Sequence, residues 1–305
     1  MKLADKDILK KISGLNGLPQ GAYNIRKNGK KTARNVTENI DIVNKQDKDG
    51  IDIIVKPNTK GETVHIPVIL TDSGIKDVVY NDFYIGENAE ITIIAGCGIH
   101  NDSEGTSEHN GIHRMFLSPN SKVRYVEKHY GEGDNVLGRV LNPITEVYLK
   151  QGSYLEMDTI QIKGVSSSVR KTKAVLEDNA TFIANEKILT HDEQFADTEF
   201  YLELNGKDSS AHIKSRSVAT EHSKQQFLSK VYGNNKCFAH VECDAIIKDN
   251  ARVISTPEVT SNNIDANLIH EAAIGKIAGE QLTKLMTLGL DERQAEEAII
   301  TGFLK

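Results

Sequence analysis

One spacing constrains this chain more than any other feature: a turn of Asn or Gly, then a small residue, then alternating apolar positions, returning about every 30 residues. It is seen at Asn88-Ala89-Glu90-Ile91, Asn120-Ser121-Lys122-Val123, Gly152-Ser153-Tyr154-Leu155 and Asn179-Ala180-Thr181-Phe182. Looser versions follow at Ser209-Ser210-Ala211, Asn234-Asn235-Lys236-Cys237 and Asn250-Ala251-Arg252-Val253. The steps are 32, 32, 27, 30, 25 and 16 residues. Asn and Gly tolerate the left-handed conformation of a sharp turn, Ala or Ser fits the corner, and the strand that follows alternates between core and surface. Self-similarity of this length is the mark of stacked repeats, so the pattern predicts a parallel β-helix. An antiparallel sandwich has similar turns and stays open on pattern alone.

Composition supports a core of modest side chains. The 305 residues are 38% hydrophobic but only 6% aromatic, with no Trp, so Ile, Val, Leu and Ala must fill the interior. A formal charge of −6 argues against a nucleic-acid binder. No run approaches the 18 or so apolar residues of a membrane helix. The acids in Met1-Lys2-Leu3-Ala4-Asp5-Lys6-Asp7 do not suit a signal peptide, so cytoplasmic residence is expected, and three cysteines, Cys97, Cys237 and Cys243, are expected as reduced thiols.

The pattern divides the chain into three parts. Residues 1–55 are expected to form a short helix carrying Ile8, Leu9 and Ile12, then a mobile, partly exposed lead-in with strands only at Ile40–Val43 and Ile51–Val55. Residues 56–268 form the β-helix. Residues 269–305 read as helical: Ile274, Ile277, Leu282, Leu285 and Leu288 recur near helical spacing, Gly289 stops the run, and Asp291 with Gln294 makes a capping box for a second helix. Two such short helices must pack on the body or on another protein.

Chemistry concentrates in three places. Cys97, His100, His109 and His113 read Cys-x2-His-x8-His-x3-His, a ligand set suited to zinc or iron but without the second Cys of a finger. In Cys237-Phe238-Ala239-His240-Val241-Glu242-Cys243-Asp244 a strand puts both cysteines on one face and His240, Glu242 and Asp244 on the other. The third is His270-Glu271, just before the helical tail. Gly29-Lys30-Lys31-Thr32 lacks the glycine of a phosphate loop, and there is no Gly-x-Ser-x-Gly and no Gly-x-Gly-x-x-Gly after a strand, so nucleotide hydrolysis, serine-hydrolase and dinucleotide chemistry have no anchor.

Several of these residues recur together in one family. On Gly96-Cys97, Glu193-Gln194-Phe195-Ala196-Asp197-Thr198, Ser215-Arg216-Ser217-Val218-Ala219 with His222-Ser223, Glu242-Cys243-Asp244, His270-Glu271-Ala272 and the tail from Gly279 to Leu304, the chain resembles the SufB/SufD scaffolds of iron–sulfur cluster assembly over about residues 60–305. Gly96 to His100, Glu127 to Gly131 and Ile274 to Ile277 are most similar to the short single SufB/SufD-like proteins of minimal two-component systems. The resemblance implies a mostly β, right-handed parallel β-helix and a non-catalytic scaffold bearing a transient iron–sulfur cluster. It implies a SufC-like ABC-type ATPase bound through the C-terminal helices, a homodimer through the end of the β-helix, and further dealings with a sulfur donor and recipient apoproteins.

Position by position, Cys243 matches the cluster cysteine, His270 and Glu271 its neighbouring ligands, and Cys97 the cysteine that accepts sulfur; Cys237 stands as an additional ligand without a counterpart. Ile269 departs from the family, which has Glu there. Mixed thiolate, imidazole and carboxylate ligation suits a cluster that must be released. The alternative is a β-helical metal-binding interaction protein using Cys97, His100, His109 and His113. A β-helical polysaccharide lyase would need a ladder of carboxylates that is missing.

Overall fold

The computed structural model describes residues 3–134 and 138–305. In chain order the elements are α1 (Leu3–Ser13), β1 (Ala22–Lys27), β2 (Lys30–Asn35), β3 (Ile40–Asn44), β4 (Gly50–Val55), β5 (Lys60–Leu70), β6 (Lys76–Ile85), β7 (Glu90–His100), β8 (Ser107–Leu117) and β9 (Lys122–Glu132). There follow β10 (Arg139–Leu141), β11 (Ile144–Leu149), β12 (Tyr154–Lys163), β13 (Ser167–Leu176), β14 (Thr181–Thr190), β15 (Phe195–Leu204), β16 (Ser209–Ala219), β17 (Lys224–Gly233), β18 (Cys237–Ile247), β19 (Arg252–Ser261), β20 (Asn267–Gly275), α2 (Gly279–Thr287) and α3 (Glu292–Phe303). Successive strands alternate between two sheets, and like strands of successive coils pair in parallel. The result is a β-solenoid of about eight turns, as the repeat predicts.

The turns carry the geometry the sequence pattern demands. Asn88, Asn120, Gly152 and Asn179 all have φ between 56° and 66°. At the Ser209 turn the left-handed residue is Asp208, one position earlier. Asp249, just before Asn250, belongs instead to a second row of such turns with Asp192 and Glu221, which closes the opposite edge and largely escapes a search for Asn or Gly. The register copies the spacing: Glu90 pairs with Lys122 and Lys122 with Tyr154.

Between the sheets lies one long apolar core of Ile, Val, Leu, Ala and a few Phe, running from Ala22 to Cys243. Each strand supplies every second residue to it. The lead-in carries more strand than expected. Ile40–Asn44 and Gly50–Val55 form the two expected strands, and Ala22–Lys27 and Lys30–Asn35 add a hairpin that opens the first sheet. Ile25, Ile40 and Ile53 are buried, which is what secures this segment.

Helix α1 lies across the outer face of the first sheet with Ile8, Leu9 and Ile12 fully buried. The two glycines flanking Cys97 exist for this contact. A Cβ on Gly98 would stand 2.1 Å from Ile8 Cγ2, and one on Gly96 would stand 2.9 Å from Ile12 Cβ. The tail also departs from its reading: residues 267–275, with His270 and Glu271, form the last strand, and helix begins only at Gly279. The Asp291–Gln294 capping box forms in both directions. Helix α3 is tied to the solenoid by Lys248–Glu296 and by Arg216, which donates to the Phe303 carbonyl at 3.3 Å. Helix α2 buries no residue. Among the described residues no helix is long and apolar enough to cross a membrane.

Candidate functional site

The final coil is where two of the candidate ligands meet. Cys243 sits on the inner face of β18, paired with Ser215 of β16 and Ala272 of β20. His270, paired with Val241, points to the same inner face one step along. Cys243 is 2% exposed, and burial pushes its thiol up to about 11. The buried Ser255 Oγ of β19, which has no other hydrogen-bond partner, faces the thiol and tempers that rise. His270 Nε2 is buried without a partner. Burial, with His240 nearby, lowers the His270 pKa, so the ring is a neutral imidazole at neutral pH.

Glu271 falls on the other side of the sheet. Its side chain is 67% exposed and lies 3.5 Å from His240 Nε2, whose Nδ1 is 3.7 Å from Glu242. Ile269 belongs to this outer face as well, beside His240. A single strand cannot bring Glu271 to Cys243, because neighbouring residues point to opposite faces.

Cys237 shares the inner face of β18 but stands six residues before Cys243, about 20 Å along an extended strand. Its Sγ is packed 3.2 Å from where a Cβ on Gly233 would be, beside Ala266 and Leu268. One cluster does not reach both Cys237 and Cys243 within this chain.

Cys97 lies on β7, five strands from β18 in the same sheet and so about 24 Å away. The Cys-His set splits: His109, His113 and Cys97 face inward, whereas His100 faces out and bonds Asp102 at 2.7 Å. Burial, and after it Asp77 and Glu127, hold the Cys97 thiol well above its ordinary value. Cys97 lines a cavity of about 20 Å³ with His109, His113, Glu127 and His129.

Between Cys97 and Cys243 the interior is polar. In register with Cys243 across the sheet stand Ser215, Glu186, Thr159 and Glu127, all inward and buried. Arg170 from the facing sheet pairs with Glu127 and reaches within 3.8 Å of Glu186. Ser215 and Thr198 donate to Glu186 at 2.9 and 3.0 Å. Burial works against the charge of Glu127, but Arg170 and His129 hold its carboxyl well below the usual range. Burial raises Glu186, which Arg170 only partly offsets.

Sequence reasoning passed over Glu127, Arg170 and Glu186, although their parity is legible. Counting by twos from the apolar Val123 and Tyr125 reaches Glu127 and His129, polar groups where the alternation calls for core. One further group, His191, Asp192 and Glu221, gathers at a turn edge among the described residues, but Glu221 already accepts the Asp192 amide.

Residues 77–303 match the family model described as SUF system FeS cluster assembly, SufBD core domain. The chain belongs to the SufBD family. Among curated relatives, the iron–sulfur cluster assembly SufBD family protein of Methanocaldococcus jannaschii is 28% identical over 255 residues, covering 83% of this chain and 79% of that protein. The SufBD family protein of Archaeoglobus fulgidus is 29% identical over 250 residues, 80% of this chain and 66% of the relative. A SufBD family protein of Trieres chinensis is 24% identical over 225 residues, but this chain spans only 46% of its length. The SufBD match includes Cys97, Cys243, His270 and Glu271 within its bounds.

Proposed function

We propose that the chain is a non-catalytic scaffold on which iron–sulfur clusters are assembled and from which they are passed to recipient apoproteins. Beyond membership of the SufBD family, the observation that carries this is the open last coil. There a buried thiol and an unpartnered neutral imidazole, Cys243 and His270, lie beside the unpaired edges of β19 and β20. A soft thiolate and a borderline imidazole are suitable cluster ligands, and two ligands from one chain leave iron sites for a second chain to fill.

The exposed edges of β19 and β20 support a homodimer formed through this end, since unpaired strand edges are ready templates for another chain. Glu271 on the outer face would then act through the partner or the rim, paired with His240 rather than with Cys243. Cys97 is the sulfur-accepting thiol in this reading, and the buried polar row between it and Cys243 makes both ends part of one interior. Helix α2, with Met286 and Leu288 exposed, supports docking of a SufC-like ABC-type ATPase that hydrolyses ATP and drives release. The scaffold would work in the cytoplasm, without nucleic acid and without inserting in a membrane.

The test is anaerobic co-purification with such an ATPase, with iron, sulfide and subunit stoichiometry measured together. Cys243→Ser and His270→Ala should each lower reconstituted iron and sulfide and change the visible spectrum. A cluster unchanged in amount and spectrum in Cys243→Ser would refute the ligand assignment.

A further inference from the structure

Two imidazoles of β8 reach toward each other over a glycine. His109, Gly111 and His113 occupy successive inner-face positions of the strand. A Cβ on Gly111 would stand 3.3 Å from His109 Nε2 and 2.9 Å from His113 Nε2, so the two nitrogens are no further apart than those contacts laid end to end. Their other nitrogens are fixed. His109 Nδ1 bonds Asp77 Oδ2 at 2.9 Å, and Asp77 is held in turn by Arg26 at 3.0 Å. Tyr125 gives its hydroxyl proton to Glu127 at 3.1 Å, so its oxygen accepts from His113 Nδ1 at 2.9 Å. These bonds put a proton on each Nδ1, so the neutral form of either ring carries its lone pair on Nε2. Neither Nε2 has a donor opposite it among the described residues. An imidazole steadied by a carboxylate or hydroxyl on one nitrogen and free on the other is the arrangement of a ligating histidine.

Cys97 lines the same cavity from the facing sheet. We propose that His109, His113 and Cys97 form a mononuclear site for a borderline divalent transition metal inside the solenoid. Two imidazoles and a thiolate suit Fe(II), Co(II) or Zn(II) and exclude the hard cations. That Fe(II) is the ion in the cell rests on the assembly role proposed above; the site itself does not. As placed, the three ligand atoms do not all lie within 4.8 Å of one another, so binding closes them by side-chain rotation across a cavity of about 20 Å³. The Cys97 thiol gives one proton to solvent as its sulfur bonds the ion, the imidazoles enter neutral, and no electron moves. The ion also answers the difficulty that a thiol buried among Asp77 and Glu127 resists ionising alone, because a coordinated thiol is deprotonated outright.

The test is a Co(II) titration of the reduced full chain under anaerobic conditions, in a Cys237→Ser, Cys243→Ser background that leaves Cys97 as the one thiol. One equivalent should bind, with visible d–d bands and a near-ultraviolet thiolate-to-cobalt band. Cys97→Ser should abolish the near-ultraviolet band. Gly111→Ala, which removes no ligand but fills the space between the nitrogens, should weaken binding at least tenfold. Tyr125→Phe, which frees the His113 ring, should weaken it about 10- to 100-fold. Absence of the visible bands, or bands that Cys97→Ser and Gly111→Ala both leave unmoved, overturns the site. Should Gly111→Ala lose its strand signal by circular dichroism, Tyr125→Phe decides, and an unchanged affinity there is a refutation. If Co(II) fails to bind while a cluster still reconstitutes on the wild type, this site falls and the assembly role stands. Co(II) bound at one equivalent in a chain that never takes up a cluster gives the reverse.

Discussion

The reactivity of Cys243 offers a sharp test of the last coil. Burial lifts its thiol from 9.0 to about 11, so at any pH below 9 the fraction present as thiolate falls about a hundredfold, two powers of ten for two pKa units. Only the thiolate attacks an alkylating agent. Native alkylation of Cys243 by iodoacetamide should therefore run at least about tenfold slower than in the unfolded chain, since the greater nucleophilicity of a high-pKa thiolate offsets part of its lower abundance and steric burial slows it further. The rate should still be climbing at pH 10. Ser255→Ala supplies the perturbation: with the hydroxyl that hydrogen-bonds the thiol removed, the pKa rises further and the native rate falls. If Ser255 served only as packing, the smaller Ala would loosen the site and the rate would rise. Peptide mapping by mass spectrometry follows Cys97, Cys237 and Cys243 separately in one sample. A native rate within threefold of the unfolded one, a profile levelling below pH 9, or faster alkylation in Ser255→Ala would refute the account. The sign for stability follows: a raised thiol pKa favours the fold below about pH 9, and that contribution is lost as pH climbs toward 11.

Three further outcomes are expected. Arg170→Met leaves Glu127 and Glu186 buried without their cation, which should cost about 3–5 kcal/mol in denaturant unfolding, and adding Glu127→Gln should restore much of it; a loss below about 1 kcal/mol would mean that water, not Arg170, solvates the row. Burial holds the His113 pKa down to about 4 against 6.5, so its contribution is complete above pH 6.5 and is lost as pH falls toward 4, about 3 kcal/mol at most, and imidazole resonances that titrate near 6.5 in the folded chain would contradict it. Gly98→Val drives a side chain into Ile8 and should release α1, seen as faster hydrogen exchange over residues 3–13 with the rest of the solenoid protected; unchanged exchange there would contradict the helix contact.

The match between sequence and structure is best where chemistry is local. The turns at Asn88, Asn120, Gly152 and Asn179, the period-two strands and the Asp291–Gln294 box each act within a few positions, and each appears as expected. Disagreement sets in where a partner is distant. Residues 269–275 fall in the segment read as helical from the spacing of Ile274, Ile277 and Leu282, yet they complete the last coil by pairing with β18, whose free edge outweighs local propensity. Nothing in the local sequence gives Gly96 and Gly98 their role, which is the surface that α1 packs against.

By itself the sequence determined the coil length and the alternation of side chains along each strand, because these follow from turn chemistry and the period-two pleat, while the family was legible only through the resemblance of its motifs. Alternation along residues 267–275 puts His270 and Glu271 on opposite faces, but which of them joins Cys243 depends on the pairing with β18. Only the tertiary structure decided which coils face each other. Cys97 meets His109 and His113 because β7 and β8 lie across the interior, and Cys243 joins Glu186, Thr159 and Glu127 because residues about 29 apart are stacked in register. Those meetings are set by sheet register and by the distance between sheets, quantities that no spacing within a single strand contains.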